Sequence, residues 1–237
     1  MKKIRALRQD GEIVFLDPQH TKVLRIEPDE TVKVLLPDGV FAIAKVTDTQ
    51  KALAQIIQTL PPIKHKYAIY FVLPLLKKQH TETAVEFLSQ IGVEKIIPVV
   101  TERSEVRPTF EKKRKIVQRF MKISAENARV SGVKVPQIND VVELKDIPKI
   151  LDSEQVESRI VFWENSKNDF DLATLKGVKQ KVAFIVGPEG GLSEIEINYL
   201  QKSGFSDFNL GDRIIKAEFF PIYICSVIDF ILNYNEY

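Results

Sequence analysis

The spacing of apolar and polar positions divides the chain into two parts. Residues 1 to about 70 contain short alternating runs at 12–16, 31–36 and 41–44, with the turn signal Pro37-Asp-Gly39 before the last of them. Alternation with a period of two is typical of strands that bury one face. The first part therefore predicts a small β-barrel or sandwich, and Pro61-Pro62 followed by Lys64 to Lys66 predicts a stiff boundary after it.

From Tyr67 onward the strand-like runs are more continuously apolar and alternate with helical patterns. Strands that are buried on both faces read in this way, so the second part predicts a largely parallel α/β sheet. Near its end, residues 219–232 form an apolar helical run. Pro221, Ser226 and Asp229 interrupt this run, which is too short for a bilayer, so we expect a buried or dimer-interface helix there and no membrane span.

A buried strand, 182–186, runs into a glycine-rich loop, Gly187-Pro-Glu-Gly-Gly191. Glycines allow backbone angles and a close approach that a Cβ would forbid, so a ligand can lie against the main chain. Ser193 and Glu196 fit a capping box at the start of the next helix. An ordinary strand-to-helix turn is the plain interpretation, but three glycines, a proline and a carboxylate in five residues favour a small-molecule site.

A second loop-then-helix segment, Asn209-Leu-Gly-Asp-Arg-Ile-Ile-Lys-Ala-Glu218, follows about twenty residues later and leads into the apolar run. Ligands of α/β sheets gather at the carboxyl ends of the strands, so two such loops suit a nucleotide-like ligand. A plain turn at Gly211 is the alternative. Neither Gly-x-Gly-x-x-Gly nor Gly-x-x-x-x-Gly-Lys-Ser/Thr occurs at these loops.

The charge of the chain is unevenly placed. The 237 residues carry a formal net charge of only +2, and 44% of them are hydrophobic, which is ample for packed cores. Residues 102–134, however, contain ten Lys or Arg against four Glu, a local charge of +6. In this segment the helical spacing of Phe110, Val117, Phe120, Met121 and Ala128 predicts an inward apolar face, which turns the basic side chains outward. A solvated helix face and a nucleic-acid-binding surface both remain open.

The cysteine and histidine residues predict neither a disulfide framework nor a metal site. The single cysteine, Cys225, lies in the apolar helical run, so no disulfide framework exists and a reducing cytoplasm fits. His20, His65 and His80 lack the spacing of metal ligands, so we expect no metal site. The basic N-terminus is followed by no long apolar stretch, so we expect no secretory signal.

The two glycine segments together resemble the paired C-terminal motifs of the RsmE-type 16S ribosomal RNA uridine N3-methyltransferases, members of the SPOUT class. The resemblance covers nearly the whole chain. Its other motifs are Lys22-Val-Leu-Arg25 and Asp38-Gly39 near the N-terminus, then Gly92-Val93, Pro98 and Thr101-Glu-Arg-Ser104. Each short match is weak by itself, and their order and spacing make the resemblance specific.

The resemblance implies an α/β protein with an N-terminal PUA-like β-barrel that binds RNA, over 1–70, followed by a trefoil-knotted SPOUT methyltransferase domain, over 71–237. It implies a cytoplasmic homodimer that binds S-adenosylmethionine and acts on 16S ribosomal RNA or the small ribosomal subunit. The cofactor residues expected from it are Val186, Gly187, Pro188, Glu189, Gly190, Gly191, Leu210, Gly211, Ile215, Lys216 and Ala217.

Methylation at uridine N3 requires loss of a proton and stabilisation of charge on the pyrimidine oxygens. Glu218, Lys216 and Arg213 are the residues expected to do this, with helix capping or a surface ion pair as the alternative. Glu189 either braces its loop or meets polar atoms of the ligand. The residues expected to hold RNA are Lys22, Arg25, Arg103, Lys112, Lys113 and Arg114.

The chain departs from the family pattern at several positions. Phe87 replaces a usual lysine and Gln90 a usual glutamate, Ala128-Arg-Val-Ser-Gly132 lies where the family has a Glu-Gln-Ser-Gly-Arg-like motif, and Lys216-Ala-Glu-Phe-Phe220 replaces Arg-Thr-Glu-Thr-Ala. The cofactor loop is thus better kept than the RNA-facing positions. Two alternatives follow: a non-catalytic RNA-binding or ribosome-assembly protein on the methyltransferase scaffold, or a SPOUT methyltransferase for another RNA.

Overall fold

The structure, a computed structural model, describes residues 1–61, 65–77, 79–211 and 215–234. The chain forms two compact units. The first contains Met1–Lys64 together with Ala128–Lys134, and the second contains His65–Asn127 and Val135–Tyr237. The boundary predicted at residue 70 therefore falls inside a strand of the second unit, and the predicted linker residues 62–64 lie outside the described residues.

The first unit is a closed five-stranded barrel. Its strands are β1 (Lys3–Asp10), β2 (Ile13–Leu16), β3 (Thr31–Leu35), β4 (Phe41–Asp48) and β5 (Leu53–Thr59), with a short helix α1 (Pro18–Val23) after β2. The order around the barrel is β1-β2-β5-β4-β3, and a parallel pairing of β1 with β3 closes it. Of the predicted barrel or sandwich, the structure shows the barrel, filled by alternating residues such as Val32 and Val34.

The second unit is built on a parallel sheet. Its strands are β6 (Ala68–Pro74), β7 (Lys95–Val100), β8 (Gln137–Ile138), β9 (Val142–Glu143), β10 (Ser158–Phe162), β11 (Lys181–Ile185) and β12 (Ser206–Phe208). The order is β12-β10-β11-β6-β7-β8, and β9 also pairs with β7. Every pairing in this sheet is parallel, as the apolar runs predict.

Helices cover both faces of this sheet. They are α2 (His80–Ile91), α3 (Phe110–Ser131), a 3-10 turn (Leu144–Asp146), α4 (Ile147–Ser153), α5 (Leu172–Lys176), α6 (Glu194–Lys202) and α7 (Phe220–Tyr234). Phe71 and Phe184 point into a core with α2, α3 and α7, whereas Val72 and Ile185 point into a second core with α4 and α6. Burial on both faces explains why these strands lack alternation.

The apolar face predicted for α3 is only partly right. Val117, Phe120 and Ala128 are buried, but Phe110 is 77% exposed and Met121 is 50% exposed. Ile123 is buried instead. Phe110 starts the helix, before its buried turns, and Met121 directly follows a buried position, so it lies about 100° away from Phe120 around the helix.

The apolar helix α7 has two different sides. Ile224, Cys225 and Ile228 are buried in the core, while Phe230 is 63% exposed and Val227 is also exposed. Burial raises the pKa of the Cys225 thiol, so this cysteine is a packed apolar side chain and not a nucleophile. Across the described residues, no helix combines the length and the apolar character needed to cross a membrane.

Candidate active site

The glycine loop lies where the sequence predicts it, at the carboxyl end of β11. The loop turns back on itself, because the Gly191 N–H donates to the Pro188 carbonyl at 2.9 Å. A Cβ on Gly187 would lie 2.9 Å from the carbonyl carbon of Gly191 and 3.0 Å from the nitrogen of Leu192. Such contacts are too short, so the two ends of the loop can touch only because Gly187 has no side chain.

Gly191 brings a carboxylate beside the loop. Its φ of +69° lies in the left-handed region that favours glycine. A Cβ there would lie 2.9 Å from Oε1 of Glu164, which follows β10, the strand next to β11. The sequence reasoning did not include Glu164. Its position directly after the buried strand 158–162 is the signal that could have drawn attention to it.

The predicted capping box fixes the start of α6. The Glu196 N–H donates to Ser193 Oγ at 3.2 Å, and the Ser193 N–H donates to Glu196 Oε2 at 3.0 Å. Oε1 of the same carboxylate accepts the N–H of Glu102 at 2.7 Å. Arg103 Nη1 donates to the Gly190 carbonyl at 3.1 Å. The loop after β7 is thereby fastened to the glycine loop.

The second glycine loop follows β12. Asn209 holds its first residues, donating from Nδ2 to the Ser166 carbonyl at 2.9 Å and accepting the Gly211 N–H at 2.8 Å. Gly211 has a φ of +80°, and a Cβ there would meet no atom of the described residues within 4 Å. The Leu210 side chain is half-buried against the core.

His80, the first residue of α2, lies near a carboxylate of the first loop and a carboxylate that follows the second. Nδ1 of His80 lies 3.9 Å from Oε1 of Glu189, in the first loop, and 3.9 Å from Oε1 of Glu218, after the second. Glu218 is only 7% exposed, so its carboxylate is largely removed from water. The Lys77 N–H also donates to Glu189 Oε1 at 3.0 Å. Glu189 therefore links the glycine loop to the loop after β6.

Nδ1 of His80 is itself buried and makes no hydrogen bond with any described residue. Sequence reasoning set His80 aside because it lacks the spacing of a metal ligand, and it missed this position. Within the described ranges no set of three or more His, Cys, Asp or Glu residues could hold a metal ion. The polar cluster Lys77–His80, placed directly after a buried strand, was the available signal.

The other predicted catalytic and cofactor residues differ in how exposed they are. The Lys216 carbonyl accepts the N–H groups of Phe219 and Phe220 at 2.9 and 3.0 Å, which caps the start of α7, and the side chain is exposed. Ile215 and Ala217 are half-buried beside it. Arg213 lies outside the described residues.

The predicted RNA-binding residues are found in both units. Lys22 and Arg25 are exposed on the first unit, and Lys112 and Arg114 are exposed on α3. Lys113 Nζ instead lies 3.2 Å from Oε1 of Glu143, in an ion pair. Arg103 is exposed, but one of its guanidinium nitrogens donates to the glycine loop.

The segment Ala128–Gly132 groups with the barrel unit. A Cβ on Gly132 would lie 1.7 Å from Cε2 of Phe41, and one on Gly39 would lie 3.2 Å from Cγ of Arg129. Gly132 is therefore required for packing. The departure from the family motif in this segment thus coincides with close structural contacts.

These elements form a candidate small-molecule site. The loops after β11 and β12, two parallel strands that flank β10, contain the glycines, and the largely buried carboxylate of Glu218 lies near Glu189 of the first loop, with both 3.9 Å from His80 Nδ1. Glycine loops can hold a nucleotide-like ligand through main-chain groups, while a buried carboxylate can accept a proton. The fold and this candidate site are those of an α/β protein with a carboxylate that can serve as a general base.

Residues 64–229 match the family model of the RNA methyltransferase domain, and the chain belongs to this family. The recognition made from the sequence motifs is thereby confirmed at the level of the family, and with it the assignment to an enzyme class.

Particular relatives narrow the comparison. The chain is 25% identical, over 86% of its length and 87% of the relative, to Ribosomal RNA small subunit methyltransferase E of Mesomycoplasma hyopneumoniae. It is 26% identical to the Aquifex aeolicus protein of the same name, over 93% of the chain and 92% of the relative. The crystal structure of a Ribosomal RNA small subunit methyltransferase E from Neisseria gonorrhoeae, bound to S-adenosyl methionine, superposes with a TM-score of 0.70 at 22% identity, over 96% of each chain. The predicted fold class is confirmed.

Proposed function

We propose that this protein is an S-adenosylmethionine-dependent methyltransferase that acts on N3 of a uridine in 16S ribosomal RNA. The observation that carries the proposal is the position of His80 near Glu189 of the first glycine loop and near the largely buried Glu218, in a chain of the RNA methyltransferase family. The ligand and substrate named for the relatives support the cofactor and the RNA class.

The residues at the site fit the cofactor. Gly187 and Gly191 allow the first loop to fold tightly, and a Cβ on Gly211, in the second loop, would meet no atom of the described residues within 4 Å. Val186 to Gly191, Leu210, Gly211 and Ile215 to Ala217 would hold it, largely through main-chain groups. When bound, S-adenosylmethionine supplies an activated methyl group.

The protein's own residues prepare the base. Glu218 Oε1 accepts the proton of uridine N3, since the anion is the nucleophile. The Lys216 ammonium, on the same segment, stabilises charge on the pyrimidine carbonyl oxygens. His80 Nδ1 lies 3.9 Å from this carboxylate, and the core around Glu218 limits water there. A stacked target base would first be turned outward, at a cost of a few kcal/mol.

The quaternary structure and the location form part of the proposal. The exposed apolar residues of α7, Val227 and Phe230, suit a symmetric contact with a second copy of the chain. Sedimentation of the wild type and of Phe230→Glu tests this homodimer, which predicts a smaller species for the variant. Because the proposed substrate is 16S ribosomal RNA or the small ribosomal subunit, the proposal includes a reaction in the cytoplasm.

The decisive experiment has a binding arm and a chemical arm. Calorimetry measures S-adenosylmethionine binding to the purified protein, and mass spectrometry measures N3-methyluridine in ribosomal RNA from cells with and without the gene. We expect binding, and a loss of one methyluridine that the wild-type gene restores and Glu218→Gln does not. Cofactor binding with unchanged ribosomal methyluridine would reject the 16S assignment. Binding of RNA without the cofactor would instead favour the non-catalytic alternative.

A further inference from the structure

Two neighbouring cavities form a groove beside the start of α3. The larger, of about 410 Å³, lies between the loop after β7 and the first turns of α3. The smaller, of about 250 Å³, shares Val106, Lys115 and Ile116 with it and extends to Leu75 and Leu76, in the loop after β6. The larger volume falls within the range of roughly 300–1,000 Å³ that is usual for small-ligand sites.

The groove has an apolar floor. Val106, Pro108 and Ile116 are half-buried and line the larger cavity, and Leu75 and Leu76 are buried beside the smaller one. Val106 and Ile116 pack against the main core, so the floor is held in place from below. A flat apolar group can therefore be received there without movement of the backbone.

The rim of the groove is cationic and only partly neutralised. Arg119 Nη2 pairs with Glu82 Oε2 at 2.9 Å, and Arg107 Nη2 donates to the Thr101 carbonyl at 3.0 Å. Lys112 and Lys115 are exposed and have no ion pair or hydrogen bond with any residue that the structure describes. Two ammonium side chains thus line the groove together with the apolar residues, and no carboxylate of the described residues pairs with them.

The groove adjoins the candidate active site. The loop after β6 that borders the smaller cavity also donates from the Lys77 N–H to Glu189, in the glycine loop. The loop after β7 that borders the larger cavity donates from Arg103 to Gly190. Both walls of the groove are therefore continuous with the glycine loop.

We propose that this groove binds single-stranded RNA beside the target nucleotide, with a base on the Val106–Ile116 floor and its phosphates at Lys112 and Lys115. The inference rests on the proposed function for its RNA substrate and adds where the strand lies. A base can reach an apolar floor only when it is unstacked and unpaired, so the groove selects a single strand. The two ammonium groups, which pair with no carboxylate of the described residues, favour a phosphate backbone over a neutral partner.

The first arm of the test measures anisotropy of a short labelled oligouridine. In Lys112→Gln with Lys115→Gln, affinity should fall about tenfold or more at about 0.1 M salt, and the salt slope should flatten by about 1.4, since each single-strand phosphate contact contributes about 0.7. The matched control is Lys122→Gln with Lys149→Gln, which removes the same charge from exposed positions outside the groove. Equal losses in both pairs would mean that net charge alone acts, which overturns the proposal.

The second arm tests the floor. Val106→Phe fills the groove without changing charge and should weaken oligouridine binding, while Val106→Thr keeps the volume and should weaken it less. Uridine monophosphate should compete with the oligonucleotide more strongly than inorganic phosphate. Equal competition by the two, or wild-type affinity in a folded Val106→Phe, would overturn the proposal.

The arms also separate this inference from the proposed function. S-adenosylmethionine affinity serves as the folding check and should stay unchanged in every groove variant. If the wild-type protein methylates ribosomal RNA and the groove variants still bind oligouridine normally, the groove proposal is wrong and the proposed function stands. If RNA binding depends on the groove but the protein does not bind the cofactor, the proposed function is wrong and the groove proposal stands. Loss of a dimer in Val106→Phe with normal RNA binding would assign the groove to a second copy of the chain and reject the proposal.

Discussion

The two ends of the parallel sheet use polar residues in opposite ways. At the amino ends of the strands, Lys95 pairs with Glu154 Oε1, Tyr70 Oη donates to Glu154 Oε2 at 3.4 Å, and Lys181 Nζ donates to the Glu154 carbonyl at 2.6 Å. At the carboxyl ends, His80 Nδ1 has no hydrogen bond among the described residues, and Glu218 lies 3.9 Å from it. The cluster around Glu154 is hydrogen-bonded, whereas His80 Nδ1 has no such partner in the described part of the chain.

The difference shows what each end contributes. Buried polar groups cost free energy unless they are hydrogen-bonded, so a closed network such as that around Glu154 favours the folded state. Polar groups without hydrogen-bond partners, such as His80 Nδ1, contribute little to the stability of the fold, and a bound ligand can supply the missing hydrogen bonds. We therefore expect changes at the amino ends to alter stability and changes at the carboxyl ends to alter binding and rate.

The largest effect is expected for Glu218→Gln. The amide keeps the size of the side chain but cannot accept the N3 proton, so single-turnover methyl transfer should slow about a hundredfold or more. Cofactor affinity and the urea midpoint should stay close to wild type. A rate equal to wild type would remove Glu218 from the chemistry and make Lys216 the better candidate.

Gly187→Ala is expected to have the next largest effect. The new Cβ would lie 2.9 to 3.0 Å from backbone atoms of Gly191 and Leu192, so the loop must open. Overpacking of this kind costs about 1–3 kcal/mol, and a loss of this size in binding free energy corresponds to a cofactor affinity roughly 5- to 140-fold weaker. Calorimetry measures this loss.

The matched control for this loop is Gly204→Ala, after α6. Gly204 has a φ of +85°, and a Cβ there meets nothing within 4 Å. The alanine should cost stability of roughly 1–2 kcal/mol through its backbone angle and leave cofactor affinity unchanged. If both variants lost cofactor affinity equally, the loss would come from a general destabilisation of the second unit. The close packing of the glycine loop at Gly187 would then not explain it.

Local features of the site could be predicted from the sequence, and distant contacts could not. Ser193 and Glu196 are three residues apart, so their capping box follows from helix geometry alone. His80 and Glu218 are far apart in the chain, and only the order of strands β12-β10-β11-β6 brings their loops together. A propensity or a periodicity contains no information about strand order.

The same distinction explains two results of the fold prediction. The alternation of β2, β3 and β4 predicted a small β structure, but barrel and sandwich could be separated only by the non-local parallel pairing of β1 with β3. In α3, helical spacing identified Val117 and Phe120 correctly. It wrongly predicted that Phe110 is buried, because nothing in the neighbouring sequence shows that the first residue of the helix lies outside the core.

At the amino ends of the strands, Glu154→Gln tests the closed network. Lys95 is 8% exposed and would lose its charge partner, while Tyr70 would keep only a neutral acceptor. Because the Glu154 side chain is still 31% exposed, the expected loss in unfolding free energy is about 1–2 kcal/mol. The matched control Glu157→Gln changes an exposed residue and should stay within about 0.5 kcal/mol of wild type. Methyl-transfer rates should be unchanged in both, and a slower Glu154→Gln would couple the two ends of the sheet.

The smallest effect concerns the pH dependence of that same network. The hydrogen bond from Lys95 holds the pKa of the Glu154 carboxyl below its ordinary value of 4.5. A lowered pKa in the folded state gives stability that is fully present above pH 4.5 and is lost as pH falls through the folded-state value. The gap in urea midpoint between wild type and Glu154→Gln should therefore be constant near neutral pH and shrink below pH 4.5, because the protonated carboxyl then resembles the amide. A gap that stays the same down to acid pH would show that packing of Glu154, and not its charge, stabilises this end of the sheet.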